Sequence, residues 1–260
     1  MARRYLLLLL FCFILAFFLP ALAGCKPPGK QTEITISAAA SLKNCLEEIA
    51  KDFEQKHGSI KVTLNFGPSG VLQRQIEQGA RVDIFFSAGK REMEGLIEKK
   101  LIHRHTDLLA NELVLIIHRD TEFVPQSVQD LLKPEIVRLA IGEPETVPAG
   151  SYARETLTYY NVWDGLKPKI IFTKDIRQLL AYVESGDVDA GFAYKTDAVT
   201  SRDVKIAFSI DEKSHQPIVY PVGVVGTSKN IKEALVFYEY LQSAEAAKVF
   251  EKYRFIVLKR

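Results

Sequence analysis

Cysteine and net charge are the scarce quantities in this 260-residue chain. There are 3 cysteines, Cys12, Cys25 and Cys45, too few for a disulfide framework. With 34 lysines and arginines against 32 acids, the formal charge is only +2, so bulk charge gives no support for nucleic-acid binding. The 5 histidines are scattered. The one close pair, His103 and His105, has no cysteine or acidic cluster beside it and reads as a solvated loop, not a zinc site. Lys99, Lys100 and Arg104 join that pair in a basic strip of the kind usual on a solvated face. No GxSxG elbow is present, and no histidine can be named as a base for Ser41 or Ser69, which weighs against a serine-dependent hydrolase. Repeats and low-complexity tracts are lacking too.

One long apolar run is there, at the N-terminus. Arg3 and Arg4 precede an uncharged stretch, residues 5–24, which ends in small residues. That order is a signal peptide's: a positive start, an apolar middle and a cut site. A membrane-spanning anchor is the alternative, and the run lies near its lower limit of roughly 20 residues. Leu22-Ala23-Gly24-Cys25 resembles the bacterial lipobox, which implies cleavage after residue 24 and a lipidated Cys25 as the first mature residue. Residues 25–31 then form a tether, and a lipid group holds an otherwise soluble protein at the membrane, facing the periplasm or the cell exterior. Loss of residues 1–24 removes two arginines and brings the formal charge to zero. Cys45 is left without a partner, on a predicted helix beside Leu42, Leu46 and Ile49, as a small buried hydrophobe.

Beyond the tether, strand and helix patterns alternate. "EITISAA", "IKVTLNFG" and "VDIFFSAG" read as strands, separated by amphipathic helices with apolar residues three and four apart. A second β/α series begins at "NELVLIIH", and two helices close the chain. The rhythm predicts an α/β clamshell of two lobes, each a mostly parallel sheet flanked by helices. The expected division is 32–112 with 224–260 in lobe 1 and 113–223 in lobe 2, with crossings near 110–118 and 217–226. Tyr159, Tyr160 and Trp163 are expected in core packing.

Ligands of open parallel sheets bind beyond the carboxyl ends of strands, where helices begin. Four such junctions are rich in small residues: Ala39-Ala40-Ser41, Gly67-Pro68-Ser69-Gly70, Pro148-Ala149-Gly150-Ser151 and Thr173-Lys174-Asp175-Ile176. Ser41, Ser69 and Asp175 could each be no more than helix caps. Together the four junctions offer more than capping needs: free N–H groups, the positive ends of helix dipoles, and no bulk to keep a ligand from the backbone.

These same segments carry a resemblance. "AAASLKNCLEEIAKDFE", "PSGVLQRQIEQGARVDIFFSA", "GEPETVPAGSYARETL", "DIRQLLAYVESGDVDAGFAYKTDA" and "YPVGVV" keep the order and spacing of bacterial molybdate-binding proteins of ABC transporters, from about Ile34 to Lys252. The resemblance implies the type II periplasmic binding fold and, as ligand, tetrahedral molybdate or tungstate, with no cofactor. It implies five ligand-binding positions: Ser41 and Ser69, each through N–H and hydroxyl, Ala149 and Ile176 through N–H, and Tyr194 through its hydroxyl. Relatives commonly place a serine-rich run where this chain has Pro68-Ser69-Gly70, and a valine where it has Ile176. A core aromatic is the plain alternative for Tyr194. The implied partners are the transporter permease and the membrane, and the implied state is a monomer.

All seven implied contacts are donors. Such a site suits an anion without a proton, because the O–H of hydrogen phosphate would be buried unpaired at a cost of about 1–3 kcal/mol. Asp175 is expected to cap its own helix and so to offer no acceptor. Sulfate would be refused on size. Relatives of the archaeal type add carboxylates that raise the metal's coordination; none stands at the matching positions here, so the metal of the oxyanion is expected to stay four-coordinate and to be held through its oxygens alone. A receptor for another oxyanion such as sulfate, and a serine-dependent hydrolase, remain the rival functions.

Overall fold

The computed structural model describes residues 31–258. The signal peptide, most of the tether and the expected lipidation site Cys25 lie outside them. Strand β1 (Thr32–Ala39) opens the described chain; its carboxyl half is buried on both faces, which its run of small and apolar residues permits. A 3₁₀ turn (Ala40–Leu42) leads into α1 (Lys43–Lys56), whose Cys45, Leu46, Ile49, Ala50 and Phe53 are buried at helical spacing. Then come β2 (Ile60–Gly67), α2 (Ser69–Glu77), β3 (Ile84–Phe86), α3 (Lys90–Glu98) and β4 (Ile102–Ala110). The second series runs β5 (Leu113–His118), β6 (Leu139–Gly142), α4 (Pro148–Tyr159), α5 (Trp163–Leu166), β7 (Ile170–Thr173), α6 (Ile176–Glu184), β8 (Ala190–Tyr194), α7 (Lys195–Ala198) and β9 (Val204–Ser209). Strand β10 (Val219–Val225), α8 (Ile231–Tyr240), α9 (Ala244–Lys252) and β11 (Ile256–Val257) complete it.

Two sheets result, in the orders β11-β4-β10-β3-β1-β2 and β7-β6-β8-β5-β9. Pairing is parallel where helices connect successive strands: β1 with β2 and β3, and β6 with β7 and β8. It is antiparallel around the strands that carry the chain between sheets, β10 against β3 and β4, and β5 against β8 and β9. Each sheet is therefore mixed, a feature that strand–helix alternation alone does not reveal. The chain leaves the first sheet through Asn111 and Glu112 and returns through residues 210–218. The two links touch, the Asn111 N–H donating to the Ile218 carbonyl at 3.3 Å. All of β10 lies in the first sheet, whereas the sequence division at 223/224 cuts it.

Some local expectations are corrected. His103, Arg104 and His105 are solvent-exposed, but on strand β4, because β10 supplies an antiparallel partner. "VQDLLKPEI", whose pattern reads as a short helix, forms only a 3₁₀ turn at Val128–Leu132, since Lys133 before Pro134 is held extended. Tyr159 is 56% exposed, not core, and meets Tyr160 edge-on at 5.1 Å. Tyr160 and Trp163 are partly buried against the core. Cys45 is buried as expected; burial pushes its thiol pKa up and leaves it unreactive.

Candidate functional site

Residues from six strand-to-helix junctions meet at a cavity of about 20 Å³ between the sheets. The space is small, since a single water needs about 10–15 Å³. Ala39, Ala40 and Ser41 line it from the end of β1, Gly67, Pro68 and Ser69 from the end of β2, and Ala88 from beyond β3. Val147 and Pro148 line it at the start of α4, Asp175 and Ile176 at the start of α6, and Tyr194 at the end of β8. No lysine, arginine or histidine is among these residues. A roomier cleft of about 500 Å³ opens alongside, over Lys90, Arg91, Glu92, Tyr152 and Glu155. It shares only Pro148 with the smaller cavity, and its walls mix both signs of charge.

Of the five expected ligand residues, Ser41, Ser69, Ile176 and Tyr194 face the one cavity. Ala149 is buried directly after Pro148 and is not itself a lining residue. Ser69 and Ile176 are the first residues of their helices and Ala149 the second of its own, positions whose N–H groups have no acceptor within the helix. Pro68 precedes Ser69 at φ −66°, the angle its ring imposes, so it presets the entry to α2 without distorting it.

Capping accounts for one of the three polar residues at these starts. Asp175 Oδ1 accepts the Gln178 N–H at 2.8 Å and caps α6. Ser41 and Ser69 cap nothing. Ser69 Oγ accepts the Ala88 N–H at 3.0 Å, which leaves the serine proton free to donate. Ser41 Oγ lies 3.1 Å from Tyr220 Oη, which in turn accepts from Asn111 Nδ2 at 3.2 Å. Either hydroxyl can donate in the Ser41–Tyr220 contact; when Tyr220 donates, the Ser41 proton is free as well. Tyr194 Oη donates to the Ala88 carbonyl at 3.3 Å. Burial raises the phenol pKa of both tyrosines well above its ordinary value, so each remains a neutral donor.

The lobes meet in direct hydrogen bonds around the cavity. The Gly70 N–H donates to the Thr146 carbonyl at 2.9 Å, and Arg91 Nη2 to the Pro144 carbonyl at 3.2 Å. Arg177 Nε donates to the Ala40 carbonyl at 3.3 Å. A Cβ on Gly70 would sit 2.9 Å from Thr146 Cα, so this approach requires glycine. Behind the cavity, Asp197 is 1% exposed; burial raises its pKa to about 6, against the lowering effect of Arg177 and with a further rise from Asp175.

Ala88, Tyr220, Asn111 and Arg177 escaped the sequence reading. Ser87-Ala88-Gly89, small residues between β3 and α3, is a fifth junction of the same type and could have been recognised. Tyr220 and Asn111 carry no local signal, since only the crossing strands bring them to Ser41.

Two α/β lobes closed over a small donor-lined cavity define a binding protein of the two-lobed periplasmic type. The chain belongs to the bacterial extracellular solute-binding proteins, matching that family over residues 34–256. It is 46% identical over 241 residues to YvgL of Bacillus subtilis (strain 168), covering 90% of this chain and 92% of that one, a protein whose name provisionally makes it an ABC transporter substrate-binding lipoprotein. It is 38% identical over 265 residues to the molybdate-binding protein ModA of Escherichia coli (strain K12), covering 99% of this chain and 100% of that one. Among solved structures, the substrate-binding domain of a provisionally named molybdenum ABC transporter from Clostridium difficile superposes with a TM-score of 0.68 at 42% identity, covering 88% of this chain and 100% of that chain. The expected resemblance is borne out, and the family is one of binding proteins, not enzymes, which removes the hydrolase alternative.

Proposed function

We propose that this chain is the substrate-binding lipoprotein of an ABC transporter, capturing molybdate or tungstate between its lobes and delivering it to the permease. The observation that carries the reading is the convergence of Ser41, Ser69, Ile176 and Tyr194 on one cavity with no cationic side chain in its lining. The seven donors are the N–H and hydroxyl groups of Ser41 and Ser69, the N–H groups of Ala149 and Ile176, and the Tyr194 hydroxyl. The dianion is offset by amide dipoles at helix starts. Asp175 Oδ1 is taken by its own helix; with the second Asp175 oxygen and the Ala88 carbonyl turned away from the ion, a protonated oxyanion would bury an unpaired O–H. Sulfate, whose oxygens lie nearer its centre, cannot reach donors on both lobes together.

Ser41 and Ser69 belong to the lobe of the first sheet, and Ala149, Ile176 and Tyr194 to that of the second. An ion engaging both sets stabilises the closed form by its differential affinity, and the closed form is what a permease would recognise. Tyr194, now on the Ala88 carbonyl, would turn its proton to the ion. The protein works as an exported monomer, held at the membrane through lipidated Cys25.

Isothermal titration with molybdate, tungstate, sulfate and phosphate tests the reading. Tight binding of the first two alone is expected. Binding of sulfate or phosphate without molybdate overturns it in favour of another oxyanion receptor. Metal–oxygen distances in the bound complex that included protein oxygens would refute four-coordinate binding.

A further inference from the structure

Arg177 stands where the lobes meet, and the proposed ligand set makes no use of it. It follows Ile176 as the second residue of α6, and its Nε reaches the Ala40 carbonyl of the other lobe at 3.3 Å. The same carbonyl accepts the Lys43 N–H that closes the 3₁₀ turn, so both its lone pairs are engaged. The Ala40–Ser41 peptide is trans. In a trans peptide the C=O and the following N–H point in opposite directions. Holding the Ala40 oxygen from one side therefore fixes the Ser41 N–H toward the other. A cation on the oxygen also polarises the peptide and strengthens its N–H as a donor.

The counter-charge is Asp197, buried, with Oδ1 3.7 Å from Arg177 Nε and neither oxygen hydrogen-bonded to any described residue. At that separation the pair is ionic only, so the Nε–H remains committed to Ala40. One helix start thus offers an N–H to the cavity through Ile176 and, one residue on, controls an N–H of the opposite lobe.

We propose that Arg177 is a positioning residue for the bound anion: through the Ala40 carbonyl it aims and polarises the Ser41 amide and ties the lobes together, without touching the ligand. This rests on the oxyanion reading above. A polarised amide favours a doubly charged ion over a singly charged one of the same shape, so Arg177 contributes to charge selectivity.

The test compares the wild type, Arg177→Lys and the double variant Arg177→Met with Asp197→Asn, which removes both charges and so leaves no lone buried carboxylate. Tungstate binding is read by titration and stopped flow; perrhenate, a monoanion of nearly the same size and shape, is read by competition. In the double variant, tungstate affinity should fall about tenfold or more, the change expected for a lost charge-assisted hydrogen bond, with faster release. Perrhenate should lose much less, so the ratio of the two affinities falls, and Arg177→Lys should recover part of it. Equal losses for both ions would mean a merely structural role and overturn the proposal, as would no loss for either. A wild type that binds neither molybdate nor tungstate defeats the functional reading first; a binding wild type with an indifferent variant defeats this proposal alone.

Discussion

The Ser69 hydroxyl accepts the Ala88 N–H at 3.0 Å, and the carbonyl of that same Ala88 accepts from Tyr194 at 3.3 Å. One alanine thereby touches a proposed ligand residue from each lobe. Ser69→Ala should lose a ligand contact and leave a buried N–H unpaired. Molybdate affinity should fall about tenfold and the apo protein should lose about 1 kcal/mol, read by titration and by denaturant unfolding. An unchanged affinity would remove Ser69 from the site.

Ile176 lines the cavity, but its proposed contribution is the backbone N–H at the start of α6. Ile176→Val should change molybdate affinity by less than about twofold and cost about 0.5–1.5 kcal/mol of stability. A loss in affinity matching that of Ser69→Ala would contradict a main-chain role.

Gly70 lets the lobes touch. Its N–H bonds Thr146, and a Cβ would stand 2.9 Å from Thr146 Cα and 3.0 Å from Thr146 O, both backbone atoms. Gly70→Ala should oppose closure by about 1–3 kcal/mol, the range for overpacking, and weaken binding accordingly. X-ray scattering should show less ligand-induced compaction than in the wild type. Full compaction at unchanged affinity would refute the assignment.

Asp197 gives a pH dependence whose sign follows from burial. Its pKa rises from 3.8 to about 6 in the folded state, so between those values the native protein binds more protons than the unfolded chain. Stability contributed by this group is therefore greatest at low pH and is lost as pH rises through that window. Asp197→Asn should remove this slope and, relative to the wild type, gain on the order of 2 kcal/mol between pH 4 and 7. Denaturant titrations at those two pH values check it; a constant difference would show that the carboxylate does not titrate there.

Much of the site was legible before any fold. Each expected ligand residue stands at a strand-to-helix junction because small residues, helix caps and apolar periodicity are local signals. Asp175 capping α6 is such a signal read correctly. Strand β4 was not legible: "IHRHTDLLA" is too polar to read as a strand until β10 pairs with it. Whether Ser41 and Ser69 cap their helices was open as well, since cap and ligand demand the same residue types, and only their partners, Tyr220 and Ala88, exclude the cap.

Chain-local chemistry thus determined the α/β alternation, the donor-rich and charge-poor junctions, and the family, because each depends on residues close together along the chain. Their convergence on one cavity was decided in three dimensions. Two crossings between sheets bring Ser41 and Ser69 opposite Ile176 and Tyr194, and Tyr220 behind Ser41. Arg177 reaches Ala40 from 137 positions away. Contacts of that separation depend on how the mixed sheets pack, and no short window of residues encodes them.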